Sequence, residues 1–426
     1  MAGNERDGTP HGRAGDPGNN ASSSLGEIAS PYDRRLAWRA HGVLAQHNAV
    51  RALDAADVHV AATLARVTDE QDETVMLAAA LATRAVRQGS VAIDLRDVFP
   101  SIDPAPAQDA DAWTDRVRAS RLAEHRALIV EHDLVYLQRY HQQEVAVVLD
   151  LRERAAQPAP VVDEGVLAAG LPRVFPGPTY AEARAAAQIA LRSWTSALTG
   201  GPGTGKTTTV AGVLALLAEQ AAACGERPLR VGLAAPTGKA AARMKEAVTA
   251  ALGLILQHTS DPAARAVIEP LAGVPALTLH RLLGRRNDSS TRFRYDRTHR
   301  LPHDVVVVDE SSMVSLTHMA RLLEALRPTT RLILVGDPDQ LVSVDAGAVL
   351  ADIVAGIETG TGAVAGKSQT TPLPLEGGRP NAPVALARLR TAHRYGHTIG
   401  ELAEHLRAGD AGAVMGQLTS AASNLE

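Results

Sequence analysis

The composition of this 426-residue chain excludes several classes of protein. With 45% hydrophobic and 21% charged residues, it can bury the cores of two or three domains. The net charge of −4 argues against a basic coat over the whole surface, but leaves room for a local basic groove. A single cysteine, Cys224, precludes an internal disulfide, and no apolar run approaches the ~18 residues of a membrane span. We therefore predict a cytoplasmic protein with no membrane partner.

The N-terminal part of the chain is predicted to contain a tail, a helical domain and a linker. Residues 1–30 have little to bury and predict a disordered tail. Residues 31–156 show mainly helical periodicity, including a long apolar-periodic helix at 134–151. Five prolines within 157–178 predict a linker into the next domain.

The middle of the chain carries a phosphate-binding loop. Gly200, Gly205, Lys206 and Thr207 satisfy G-x-x-x-x-G-K-[ST], in which backbone N–H groups and a helix N-terminus surround phosphate oxygens. Lys206 is expected to reach the β- and γ-phosphates and Thr207 to ligate Mg²⁺, so ATP and Mg²⁺ are the predicted cofactors. The predicted ATP-binding residues of the loop are Gly200, Gly201, Pro202, Gly203, Thr204, Gly205, Lys206, Thr207 and Thr208.

Strands and helices alternate around this loop. Because the predicted strands are almost wholly apolar, the pattern indicates an α/β domain over 179–355, with a parallel sheet covered by helices on both faces. Residues 356–383 are rich in Gly, Thr and Pro and predict a flexible connection to 384–426. The predicted strands are 194–199, 229–235, 305–308 and 331–335.

Polar side chains that suit ATP hydrolysis follow these strands. Asp309 and Glu310 end an all-valine strand, where Asp309 can hold Mg²⁺ and Glu310 can deprotonate the attacking water. Gln340 lies in a Gly-Asp-Pro turn after the next strand; the segment is either only a turn or places an amide at the γ-phosphate. Gln188, upstream of the loop, is predicted to read the adenine edge.

A second anion site is predicted where the strand at 229–235 meets the following helix. Helix N-terminal amides and a lysine suit a nucleic-acid phosphate, and lysine is otherwise scarce in this chain. The predicted DNA-binding residues are Pro236, Thr237, Lys239, Thr278 and His280. The arginine-rich segment 282–300 surrounds Phe293 and Tyr295; it is either a stacking surface for single strands or, as we favour, a solvated hairpin.

In this order the motifs resemble those of the superfamily 1 DNA helicases and, within them, most closely the RecD family, the alpha subunits of exodeoxyribonuclease V. The matching segments, from the Q motif to motif IV, are Gln188, 200–208, 235–240, 278–281, 309–313, 336–341 and Arg394. Residues 136–140 with Glu144 are similar to the partner-binding domain of that family.

The resemblance implies a RecA-like ATPase domain and an ATP-driven 5′→3′ motor that acts on DNA ends. It further implies RecB- and RecC-like partner subunits and a role in double-strand break repair by homologous recombination. The residues to which it assigns catalytic roles are Lys206, Glu310, Gln340 and Arg394.

The chain departs from the family pattern after Arg394. Residues 384–426 are too few for a complete second RecA-like domain, and no motif V or VI follows, so we expect a chain that is cut short. Two alternatives stay open: a stand-alone RecD-like helicase, although no helix-hairpin-helix repeats are found, and a non-motor ATP-binding scaffold subunit.

Overall fold

The computed structural model describes residues 36–37, 39–103, 106–286, 292–340, 346–359, 384–391, 405 and 409–423. The tail predicted at 1–30, most of the connection predicted at 356–383, and Arg394 lie outside these residues. Within the described part of the chain, no helix combines the length and the apolar character that a membrane crossing requires.

Two sheets organise the described structure. Strands β1 to β3 form an antiparallel sheet in the order β1-β3-β2, and β4 to β9 form a parallel sheet in the order β6-β5-β7-β8-β4-β9. The strands are β1 Ala92–Asp94, β2 Leu128–Glu131, β3 Leu134–Leu137, β4 Thr195–Gly200, β5 Val231–Ala235, β6 Ala276–Thr278, β7 Val305–Val308, β8 Arg331–Gly336 and β9 Ala385–Leu389.

Helices cover both sheets. The α-helices are α1 Gly42–Ala49, α2 Ala55–Thr68, α3 Glu73–Arg87, α4 Leu95–Val98, α5 Ala110–Arg118, α6 Arg121–Glu124, α7 Gln138–Ala155, α8 Glu164–Val174, α9 Ala181–Leu191, α10 Lys206–Ala223, α11 Gly238–Gln257, α12 Pro262–Ile268, α13 Leu279–Leu283, α14 Leu316–Ala325, α15 Val349–Glu358 and α16 Ala411–Ser423.

The valines of β7 show why the parallel sheet is so apolar. Val305 and Val307 pack into the core formed with α8 to α12, whereas Val306 and Val308 pack into the core formed with α7 and α13 to α15. Successive side chains of a strand point to opposite faces, so a strand covered on both faces must be apolar at every position. The structure thus confirms the predicted α/β fold with helices on both faces.

The N-terminal region is helical except for its small sheet. The prediction of one helix over 134–151 was wrong, because residues 134–137 form β3, which pairs with β1 and β2, and α7 begins only at Gln138. The segment was misassigned because Leu134, Val135 and Leu137 fit a strand and the first turn of an apolar helix equally well.

The segment predicted as a linker also contains a helix. Within 157–178, α8 buries Leu167, Leu171 and Val174 in the core beside α10. Gly212 of α10 allows this contact, since a Cβ there would lie 2.2 Å from the ring of Phe175, which follows α8. These residues therefore add a layer to the parallel sheet as well as connecting two parts of the chain.

Arg154, near the end of α7, attaches that helix to the strand starts of the parallel sheet. Its guanidinium donates to Thr195 Oγ1 at 2.8 Å, to the carbonyl of Trp194 at 2.8 Å, to that of Arg327 at 2.9 Å, and to that of Thr330. The side chain is only 2% exposed, and burial lowers its pKa to about 10, so it stays charged at neutral pH.

Replacing Arg154 by Met should lower the free energy of unfolding by about 3 kcal/mol, because buried carbonyls lose their donor. The measurement is urea or thermal unfolding followed by circular dichroism. Arg152→Met is the matched control, since Arg152 is an exposed arginine in the same helical turn, and its effect should stay within about 0.5 kcal/mol. Equal losses for the two variants would contradict the assigned role of Arg154.

Candidate active site

The parallel strands bring the predicted site residues to one edge of the sheet. In β4, Thr199 pairs with Gly336 of β8 and Gly200 pairs with Leu389 of β9. The neighbouring β7 ends with Val308, so Asp309 and Glu310 emerge at the same edge. The phosphate loop is thereby set beside the polar ends of β7 and β8, as expected where parallel strands end together.

The phosphate loop has the backbone that its glycines predict. Gly203 and Gly205 have φ values of 78° and 84°, which disfavour any side chain with a Cβ. At Gly200 a Cβ would lie 2.5 Å from the carbonyl oxygen of Leu389 and 2.7 Å from Thr204 Oγ1. The loop ends where α10 begins, so its backbone leads directly into a helix N-terminus that favours anions.

Lys206 lies across the loop with its ammonium group pointing inward. Its Nζ donates to the carbonyls of Gly200 at 2.6 Å and Gly201 at 2.9 Å. Burial lowers the pKa of Lys206, while the negative charges of Asp337, Glu310 and Asp309 oppose this effect. The ammonium group is therefore held within the electrostatic reach of three carboxylates.

The chain turns sharply at the two carboxylates after β7. Glu310 has a left-handed backbone, with φ 51° and ψ 41°, and its N–H donates to Asp309 Oδ1 at 2.9 Å. Ser311 stabilises the turn, because its hydroxyl donates to the Val308 carbonyl at 2.7 Å and accepts from the N–H of Val335 at 3.2 Å. Such backbone strain in a non-glycine residue is typical of functional sites.

The residues at this edge fit both ATP and Mg²⁺. Burial raises the pKa of Asp309, so a nearby cation would stabilise the ionised carboxylate. Thr207 lies half-buried in the first turn of α10, and Thr208 beside it is exposed. In the described part of the chain, no group of three or more His, Cys, Asp and Glu is arranged to hold a metal. A magnesium ion here would need phosphate oxygens and water as further ligands, which is its usual preference.

Asp337 is a site residue that the sequence analysis missed. Asp337 is 7% exposed, and its negative charge opposes the lowering of the Lys206 pKa by burial. It accepts from the N–H of Asp339 at 3.2 Å, and Gln340 Nε2 donates to Oδ2 at 3.5 Å. The exposed Gln340 is thus brought to the same edge. Asp337 directly follows an apolar strand, and this position in the sequence was the signal that could have identified it.

Gln188, predicted to read adenine, is not brought to the loop. Glu182, at the start of α9, accepts from the N–H groups of Arg390 and Thr391 at 2.8 and 3.1 Å, just beyond the end of β9. The last carbonyl of α9 instead accepts from Arg331, the first residue of β8, at 2.6 Å. The helix therefore runs away from the strand ends, and Gln188 lies exposed in its last turn.

The predicted DNA-binding residues lie at the same edge of the sheet, beyond β7. Ala235 of β5 pairs with Thr278 of β6, which places the two motifs side by side. The hydroxyls of Thr237 and Thr278 each cap a helix, accepting at 3.2 and 3.3 Å from the N–H three residues on. Lys239 is exposed in the first turn of α11, and His280 is half-buried in α13.

The described parts of the arginine-rich segment, 282–286 and 292–300, pair through an antiparallel bridge between Arg285 and Phe293, as in a hairpin, and are attached to α7. Phe293 is 7% exposed and belongs to the core, so it is not available for stacking on bases. Arg297 forms an ion pair of 2.7 Å with the buried Asp150 of α7. Arg294 lies over the ring of Tyr295, 5.5 Å from its centroid. The burial of Phe293 and the contacts of Arg294 and Arg297 support the hypothesis of a hairpin over that of a surface on which bases stack.

Comparison with known proteins shows what this arrangement is similar to. Residues 183–346 match the AAA domain family, and residues 49–165 match the family described as RecBCD enzyme subunit RecD, N-terminal domain. The RecBCD enzyme subunit RecD of Mycolicibacterium smegmatis is 48% identical over 378 residues, covering 88% of this chain. The chain is therefore similar to RecD proteins over most of its length. The corresponding RecD of Mycobacterium tuberculosis is 46% identical over 400 residues, or 92% of this chain.

The chain spans 61% and 63% of the lengths of these two RecD relatives. A shorter match links it to the ATP-dependent RecD2 DNA helicase of Deinococcus radiodurans, 41% identical over 150 residues, which is 35% of this chain and 16% of that protein. The two matches over 88% and 92% of this chain include the N-terminal region as well as the parallel sheet.

Gly200→Ala should weaken the binding of a fluorescent ATP analogue about tenfold or more, because its Cβ must displace either the β9 backbone or the loop. Gly253→Ala is the control, since a Cβ at that position of α11 meets nothing within 4 Å. Equilibrium titration of both variants with the analogue decides the point. Unchanged affinity in Gly200→Ala would place the nucleotide elsewhere.

Proposed function

We propose that this chain is an ATP-hydrolysing, 5′→3′ DNA helicase subunit of a RecBCD-type complex. The observation that carries the proposal is the shared sheet edge, which holds a phosphate loop, the carboxylates of Asp309, Glu310 and Asp337, and a helix N-terminus whose amides and Lys239 suit a nucleic-acid phosphate. The expected partners are RecB- and RecC-like subunits and DNA ends. The expected role is double-strand break repair by homologous recombination in the cytoplasm.

The roles of the residues follow from their chemistry. Thr207 and Asp309 would hold Mg²⁺ on the protein side. The ion would supply positive charge that neutralises the phosphate oxygens. Lys206 offers a compact positive charge to the phosphates within a partly buried site, where electrostatic interactions are strong. Glu310 takes the proton of the attacking water, and Gln340 contacts the γ-phosphate. Arg394 is proposed as a further catalytic arginine.

Glu310→Gln should lower ATP turnover by about 10²–10³-fold while ATP affinity stays near that of the parent, because the amide keeps the shape but cannot accept the proton. Turnover is measured by phosphate release and affinity by titration with ATP. Both measurements use a preparation in which the parent protein hydrolyses ATP. The exposed Glu246 of α11 provides the control variant Glu246→Gln. A Glu310→Gln protein as fast as its parent would remove Glu310 from this role.

The proposed nucleic-acid contact is to the backbone of a single strand. Exposed Lys239 and the helix N-terminus that follows Thr237 bind phosphate rather than base edges, so binding should be nearly indifferent to sequence and fall with salt. The register of β5 and β6 sets Thr278 and His280 beside them.

Lys239→Ala should weaken binding to single-stranded DNA and reduce the slope of log K against log salt by about one unit. The measurement is fluorescence anisotropy across a salt series with two oligonucleotides of unrelated sequence. Lys245→Ala is the control, because Lys245 lies on the same helix with its ammonium bonded to the Ala272 carbonyl. If the slope of the Lys239 variant stays at the parental value, Lys239 makes no phosphate contact.

The subunit hypothesis is favoured over the stand-alone helicase by the extent of the matches. RecD relatives align over 88% and 92% of this chain, whereas the RecD2 helicase aligns over 35%. The helices and the small sheet of the N-terminal part lie in the region that matches the RecD N-terminal domain. This region is therefore the proposed site of partner binding.

A further inference from the structure

A serine and two histidines connect the turn after the catalytic carboxylates to the proposed nucleic-acid edge. Ser315 Oγ lies 2.9 Å from His318 Nδ1, and His318 Nε2 lies 3.1 Å from His280 Nε2. Ser315 caps α14, which starts just after the turn at Asp309 and Glu310, while His280 belongs to α13 beyond β6. We call these three side chains the histidine relay.

The direction of hydrogen bonding in the relay follows from burial. Ser315 is 2% exposed, so its hydroxyl proton needs an acceptor within the protein, and His318 Nδ1 lies at the right distance. The same oxygen also accepts from the His318 backbone N–H, at 3.4 Å. With Nδ1 accepting, a neutral His318 must carry its proton on Nε2 and donate it to His280 Nε2.

We infer that His318 is a positioning residue that selects the tautomer of His280 for phosphate binding. Because His280 Nε2 accepts the hydrogen bond, the neutral His280 ring carries its proton on Nδ1. That N–H is the donor that a phosphate oxygen requires. The inference rests on the proposed function only for the identity of the ligand, single-stranded DNA.

Packing restricts the two histidine rings to this arrangement. The centroids of His280 and His318 are 4.5 Å apart at 66°, and Phe293 contacts His280 edge-on at 5.8 Å. Thr317, next to His318, donates to Gln143 Oε1 of α7 at 2.9 Å, so α14 is also attached to the N-terminal region. Rings held by neighbours on several sides keep one hydrogen-bonding geometry.

Two substitutions of His318 test the inference through DNA affinity. His318→Leu should weaken binding to a single-stranded oligonucleotide about tenfold, because His280 loses the bond that selects its tautomer. His318→Gln, whose amide can still donate to His280, should recover most of that loss. ATP-analogue affinity should stay at the parental value in both variants, which separates positioning from misfolding. His299→Leu is the control, an exposed histidine stacked on Tyr295.

The tautomer of His280 provides a readout that needs no DNA. Two-bond ¹H–¹⁵N NMR of protein labelled at its histidines should show a protonated Nδ1 and an unprotonated Nε2 for His280, assigned with a His280→Gln variant. A protonated Nε2 would overturn the relay, as would parental DNA affinity in His318→Leu. If the parent binds no single-stranded DNA while the NMR pattern is as expected, the proposed function fails and the relay stands as a structural feature.

Discussion

The parallel pairing of β4 with its two neighbours is the constraint on which the candidate site depends. Gly200 pairs with Leu389 so closely that a Cβ would lie 2.5 Å from the Leu389 carbonyl. On the other side, Thr199 pairs with Gly336, directly before Asp337. The position of the phosphate loop is therefore set by backbone pairing, and the carboxylates after β7 and β8 come to it because parallel strands end together.

This packing produces a site whose charges are incompletely balanced. One partly buried ammonium group, on Lys206, faces the carboxylates of Asp337, Glu310 and Asp309. Burial lowers the pKa of Lys206 and raises that of Asp309, so it disfavours the charged form of each. Phosphate oxygens would stabilise the lysine cation and a divalent metal would stabilise the carboxylate, so the site is complementary to a metal–nucleotide complex.

The N-terminal part and the parallel sheet share more structure than a linker would provide. Helix α7 starts at the small sheet and ends with Arg154 bonded to the strand starts of the parallel sheet. Along its length, Asp150 pairs with Arg297 of the hairpin and Gln143 accepts from Thr317 of α14. Helix α7 thus connects the N-terminal part to α14, whose His318 contacts His280.

The sequence by itself determined the features that depend on local pattern. The glycine-rich loop, the valine strand before Asp309 and Glu310, and the fully apolar strands were all readable, because a phosphate cradle and a doubly covered sheet each need particular residues at short spacing. The secondary structure of short segments such as 134–137 could not be read from the sequence, since four apolar residues suit a strand or a helix equally.

Only the tertiary structure decided which distant residues meet. It brings Asp337 close to Lys206, carries Gln188 away from the loop because α9 runs away from the strand ends, and buries Phe293 instead of exposing it to bases. It also places His318 against His280, although 37 residues separate them in the sequence. These contacts depend on strand order and helix direction, which arise from packing over the whole domain rather than from any local pattern.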